Sequence, residues 1–210
     1  MIKNILFDMG GVVFRQDTRE ALRRFAAAGI DTTLYMGDYG QKDFFLDIET
    51  GAIDTHEFCR RMAAAAGRQE VTHDEALYCW LGFVHDVPIE RLHHLLTLKT
   101  QHHVCLLSNT NPFVMSYMES DRFSSEGMPI SHYFHSLFCS YRMGICKPHR
   151  QIFERALKTD GMLPRETLFV DDSEANVQAA RALGIQGLHV TTNEDWWEEV
   201  TRALHLHDRQ

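Results

Sequence analysis

The chain has 210 residues, 44% of them hydrophobic and 24% charged, an ordinary globular balance with enough length for a main domain and an insertion. Its net charge of −8 excludes an extended nucleic-acid surface, which needs clustered Lys and Arg, although one local cation is enough to receive a phosphate. Five scattered cysteines without a CxxC pair point to reduced thiols rather than a disulfide framework. No apolar run approaches a membrane span or follows a basic amino terminus. The expectation is a soluble, cytoplasmic protein.

In chain order, residues 2–7 predict a buried strand that stops at a lone carboxylate, Asp8, followed by the tight-turn pair Gly10-Gly11. From residue 15 to 87 no strong strand signal appears and helical spacing dominates. Residues 19–26 predict a helix ended by Gly29, residues 43–49 a short helix, and residues 55–66 a helix running through Met62 to Gly67. Thr72 and Glu75 form a capping-box pattern for a helix carrying Leu77, Trp80 and Leu81.

After Pro88 strands and helices alternate. Helices are expected at 89–98, 152–157, 175–183 and 195–206, and strands at 103–107, 137–140, 167–170 and 187–190. This order predicts an α/β fold with a doubly wound, mostly parallel sheet. Residues 1–14 and 88–210 would form the core, and residues 15–87 an inserted all-helical unit.

Polar groups recur where the predicted strands end. Besides Asp8, they are Ser108-Asn109-Thr110, Lys147-Pro148 and Asp171-Asp172-Ser173. In a parallel sheet these ends open on one edge, where ligands bind. Singly, each reads equally well as a helix cap or a turn. Together their chemistry is coherent. Three carboxylates raise one another's pKa values unless a cation joins them, and hard oxygen ligands suit Mg²⁺. Lys147, a hydroxyl and an amide complement a phosphate, and a carboxylate in line can attack phosphorus.

The same residues resemble the four motifs of the haloacid dehalogenase (HAD) superfamily, in order and over nearly the whole chain. They are Phe7-Asp8-Met9-Gly10-Gly11-Val12, Leu106-Leu107-Ser108-Asn109-Thr110, Gly144-Ile145-Cys146-Lys147-Pro148, and Phe169-Val170-Asp171-Asp172-Ser173-Glu174-Ala175-Asn176-Val177. Ser108-Asn109-Thr110-Asn111 and Glu49-Thr50-Gly51-Ala52-Ile53 are similar to patterns of its sugar-phosphate phosphatase branch. The resemblance implies a Rossmann-like core with a helical cap and an Mg²⁺-dependent phosphatase acting through an aspartyl-phosphate. Its substrate would be a small phosphorylated metabolite, a sugar phosphate among the candidates.

By the same resemblance, Asp8 would be the nucleophile. Asp8, the Gly10 carbonyl, Asp172 and, further out, Asp171 would hold the metal. Ser108, Asn109, Lys147 and the Met9–Gly10 backbone would hold the phosphate. Gln41, Lys42 and Glu49 would be the cap's candidates for substrate contact. The chain departs from the family where most of its phosphatases carry a second Asp, two residues after the nucleophile. Here Gly10 stands there, and proton transfer of that kind is typically worth roughly 10²–10⁴-fold. A slow or selective phosphatase is the expectation. The alternatives are a metal-free dehalogenase, a phosphonate hydrolase with Lys42 as its Schiff base, and a phosphate-binding regulatory protein.

Overall fold

A computed structural model describes residues 1–37 and 40–207. Its strands are β1 (Asn4–Phe7), β2 (Arg15–Gln16), β3 (Met36–Gly37), β4 (Gly40–Gln41), β5 (Val84–Asp86), β6 (His103–Ser108), β7 (Ser136–Cys139), β8 (Thr167–Asp171) and β9 (Gln186–His189). Five of them form a parallel sheet in the order β7-β6-β1-β8-β9. The register is what builds the site. Phe7 pairs with Leu106 and Val170, Ser108 with Cys139, and Asp171 with His189. Residues just beyond these pairs therefore leave the sheet at one level.

The central strands read as continuous apolar runs because helices cover both faces. Alternate residues divide between them. Ile5, Phe7, Leu106 and Val170 join the side that buries Leu92 and Leu95 of helix Ile89–Lys99 and Trp196 and Val200 near the carboxyl terminus. Leu6, Cys105, Leu107 and Phe169 face Ile152 and Phe153 of helix Arg150–Thr159 and Ala180 of helix Glu174–Arg181. Each fully buried Leu, Ile, Val or Phe among them contributes about 1.5–3 kcal/mol.

Residues 15–87 carry helices Thr18–Ala27, Thr32–Tyr35, Phe44–Glu49, Thr55–Ala65 and His73–Trp80. The Thr72–Glu75 capping box forms as expected. Their shared core is aromatic: Phe25, Phe45, Phe58 and Trp80 pack with ring centroids 5.0–5.7 Å apart. Phe58 also meets Phe113, 5.4 Å away on helix Pro112–Met118 of the main unit, so one apolar core runs across the boundary.

The structure corrects the sequence reading at several points. The 15–87 segment is not purely helical, since β2 pairs antiparallel with β5 and β3 with β4. Strands of two or three residues are too short to show alternation. The β2–β5 pair ties the beginning of the segment to its end. Helix Pro112–Met118 was not assigned, although Asn111 caps it through the Val114 N–H and Pro112 stands at its first turn. Leu81 belongs to a 3₁₀ turn, Leu81–Phe83. The last helix begins at Trp197, where the Asp195 carboxylate accepts from the Trp197 N–H. No helix among the described residues is long and apolar enough to cross a membrane.

Candidate active site

Asp8 is the first residue past β1, and Asp171 the last of β8. Their strands are neighbours, so the two carboxylates emerge side by side with Asp172 next to them. The three offer oxygens within 4.8 Å of one another. Lys147 enters from the β7 side, and its ammonium donates to Asp8 Oδ1 and Asp171 Oδ2, both at 2.7 Å. Its side chain is 1% exposed, so this cation is committed to the cluster. Asp171 is fixed further by the Ser173 N–H at 2.7 Å and the Asn176 amide at 3.1 Å.

Two local devices aim these groups. Gly11 has φ +75, and a Cβ there would stand 2.4 Å from Asp172 Oδ2. Only glycine gives both that backbone and that approach. Asn109 clamps the Lys147 backbone, accepting from its N–H at 2.7 Å and donating to its carbonyl at 2.9 Å. The Asn109 side-chain amide is thereby spent on positioning Lys147.

The electrostatics follow from three carboxylates facing one ammonium. Burial, with Asp171 and Asp172 adding to it, pushes Asp8 up to about 7 despite the opposing pull of Lys147. Burial raises Asp172 as well, against a hydrogen bond from Thr192. Burial works to lower Lys147, but Asp171 and Asp8 outweigh it and hold the ammonium above its ordinary range. The cluster is short of positive charge, and its donors are hard oxygens. A divalent cation of the Mg²⁺ type fits that set.

Above the cluster lies a cavity of about 260 Å³. Asp8, Met9, Gly10, Ser108, Asn109, Lys147 and Asp172 all line it, while Asp171 sits behind, fully buried. The residues picked out for the nucleophile, metal and phosphate are thus brought to one place. Of the three in the inserted segment, Gln41 and Glu49 line the cavity and Lys42 does not; it is exposed. A Cβ at Gly10 would meet Gln16 Oε1 at 3.1 Å, so the Gln16 amide fills the space beside that glycine.

Sequence reasoning missed several lining residues. Gln16 carried no motif, Trp80 read as core, and Thr110 and Asn176 read as parts of motif stretches without a task. Asn176 could have been found, since it stands in the first turn of helix Glu174–Arg181, just past Asp171-Asp172.

The Glu49 loop is locked onto the main unit. Gly51 has φ +69, and a Cβ there would stand 2.1 Å from the Tyr141 carbonyl oxygen. The buried Ser140 hydroxyl donates to the Glu49 carbonyl at 2.6 Å and accepts from the Thr110 N–H at 2.9 Å. One side chain therefore holds the inserted segment and the β6 loop together at the cavity.

Comparison with known proteins agrees with this geometry. The profile of haloacid dehalogenase-like hydrolases matches residues 2–184. A D-ribitol-5-phosphate phosphatase of Bacteroides thetaiotaomicron is 40% identical over 97% of this chain and 99% of its own. A predicted HAD-like family hydrolase from Porphyromonas gingivalis superposes with a TM-score of 0.92 at 36% identity, over 97% of this chain and 98% of its own. A HAD family enzyme from B. thetaiotaomicron, solved with magnesium and inorganic phosphate, gives 0.86 at 31% identity, over 95% and 99%. With the four strand-end motifs gathered beneath one cavity and the match running nearly end to end, this chain belongs to the haloacid dehalogenase-like hydrolases.

Proposed function

We propose that the protein is an Mg²⁺-dependent phosphatase that hydrolyses a small phosphomonoester, of the sugar-phosphate kind, through an aspartyl-phosphate on Asp8. The observation that carries this reading is the Lys147 ammonium held between Asp8 and Asp171 beneath the cavity, with Asp172 beside them. The relatives named for ribitol phosphate hydrolysis and solved with magnesium and phosphate support it.

In this reading Asp8, Asp172 and the Gly10 carbonyl hold the metal, with Asp171 behind them. Bound Mg²⁺ neutralises charge on the phosphoryl oxygens. The Asp8 carboxylate attacks phosphorus, the P–O bond to the leaving group breaks, and the leaving alkoxide takes a proton from a water molecule, whose hydroxide is neutralised by the proton that the hydrolytic water releases in the next step. Water then attacks the acyl-phosphate phosphorus, the bond to Asp8 breaks, and inorganic phosphate departs as the carboxylate returns. Lys147, the Ser108 hydroxyl, and the Asn109 and Met9–Gly10 backbone stabilise the phosphoryl group through both steps. Residues 15–87 act as the cap that excludes water. The five free, buried cysteines suit work in a reducing cytoplasm.

Gly10 can neither give nor take the leaving group's proton, so esters with good leaving groups should react fastest. The other readings fit the site less well. An attacking carboxylate without metal gains nothing from Asp171 and Asp172 beside it, which disfavours a dehalogenase. The exposed position of Lys42, off the cavity wall, disfavours a Schiff base. A screen of phosphate esters with and without Mg²⁺, against an Asp8→Asn control, tests the proposal. Turnover should need both the metal and Asp8. A screen no richer than the control would leave a phosphate-binding regulatory protein as the better account.

A further inference from the structure

At the end of the sheet away from the cavity, a second set of ligand-type side chains converges. His103, Cys105 and Asp160 each offer one atom within 4.8 Å of the others. His103 opens β6 and Cys105 follows two residues on, so both point to the same face. Asp160 stands at the end of helix Arg150–Thr159, which packs on that face. Its Oδ2 meets His103 Nε2 at 2.7 Å and accepts from the Cys105 thiol at 3.5 Å. From His103 the strand runs on for about 16 Å before it reaches Ser108 and the active-site edge.

We propose that His103, Cys105 and Asp160 form a binding site for a borderline-soft divalent cation of the Zn²⁺ type, separate from the carboxylate cluster at Asp8. The donor set selects the metal. Imidazole, thiolate and carboxylate are the ligands that Zn²⁺ takes, whereas Mg²⁺ takes oxygens alone. Tetrahedral bonds to such ligands set the donor atoms about 3.3–3.7 Å apart. The Cys105–Asp160 pair already has that spacing, and the His103 ring need draw back by only about 0.6 Å. His103 is the most exposed of the three, at 36% for its side chain against 14% for Asp160, so the ion enters past its ring. Burial, with the Asp160 charge beside it, pushes the Cys105 thiol up to about 12. Without metal the thiol therefore keeps its proton, and the arriving cation displaces that proton to water. One thiolate and one carboxylate then match the ion's two charges, His103 binds as the neutral imidazole, and a water fills the fourth position. Bound there, the ion ties the start of β6 to the end of the helix and adds to stability.

The test uses the whole protein in excess Mg²⁺, with Zn²⁺ and Co²⁺ as probes. Zn²⁺ at about a hundredfold excess over its Kd should raise the melting temperature by ~5 °C or more. Co²⁺ should give the near-ultraviolet absorption band of a cobalt–thiolate bond. Both signals should vanish in Cys105→Ala and in His103→Gln, and both should persist in Asp8→Asn. Cys105 is fully buried, so its loss can disturb the core; His103, at the rim, gives the same answer with the core intact. A wild type with no shift and no band would overturn the site and leave the three residues a hydrogen-bonded contact. A band that survives Cys105→Ala would overturn it by placing the ion on another thiol. Loss of both signals in Asp8→Asn would overturn it by placing the ions in the active site. None of these readouts depends on ester hydrolysis, so they stand apart from the phosphatase reading.

Discussion

The floor of the cavity and its walls are built on opposite electrostatic plans. On the floor, three carboxylates lie within 4.8 Å of one another, and one ammonium pairs with two of them. On the walls, drawn largely from residues 15–87, the polar groups are mainly amides, an indole and a hydroxyl beside the Glu49 carboxyl, and three of their side-chain atoms lack partners. The floor suits a reaction whose charge is the same whatever the leaving group. The walls leave selection among leaving groups to shape and hydrogen bonding. The Ser140 hydroxyl joins the two, bonding the Glu49 carbonyl and the Thr110 N–H.

The largest expected effect tests the floor. Lys147→Met leaves Asp8 and Asp171 buried without their shared cation, which should lower stability by about 3–5 kcal/mol and remove turnover. Chemical denaturation checks the first and ester hydrolysis the second. A variant as stable as wild type would show that the ammonium is not what holds the carboxylates together.

A smaller effect concerns the missing proton-transfer group. Gly10→Asp should speed esters with poor leaving groups by ~10-fold or more, a share of the 10²–10⁴ that such groups supply. Its Cβ meets the flexible end of Gln16 at 3.1 Å and Phe14 Cζ at an ordinary 3.7 Å, so the substitution has room once Gln16 gives way. An unchanged or slower rate would place that duty on another group, or show that the extra carboxylate disturbs the floor.

The smallest effect belongs to the wall. Burial raises the Glu49 carboxyl from the ordinary 4.5 to about 8, so the folded state keeps a proton that the unfolded chain releases between those values. Its contribution to stability is complete below pH 4.5 and is lost as pH rises through about 8. The Cys146 thiol, which feels the Glu49 charge, is itself held up near 11 by burial and stays neutral throughout that window. Glu49→Gln should therefore gain on wild type in melting temperature as pH rises across it. Parallel curves would mean that the Glu49 carboxyl is solvated.

Much of the floor was legible in the sequence. An apolar run that stops at Asp8, Ser108 or Asp171 is a local signal, because a buried strand must end where its first charged or turn-forming residue must leave the sheet. Parallel order then brings those ends together without further information. The walls were not legible in this way. Trp80 has the spacing of a core residue on its helix, and it is one. Only the folded chain puts it on the wall of the same cavity as Thr110 and Gln41. Helix Pro112–Met118 escaped although its cap and proline were readable, since its apolar run is short and follows a strand directly.

The sequence by itself determined the α/β class, the nucleophile candidate, the cation and the acidic pair, because each depends on residues within one strand and its turn. Tertiary structure decided the rest. It set the Lys147 bridge between Asp8 and Asp171, the approach of Asp172 to Gly11, and the Ser140 clasp on Glu49. These contacts join residues 24 to 161 positions apart. Packing fixes such distances to fractions of an ångström, and no local pattern encodes them.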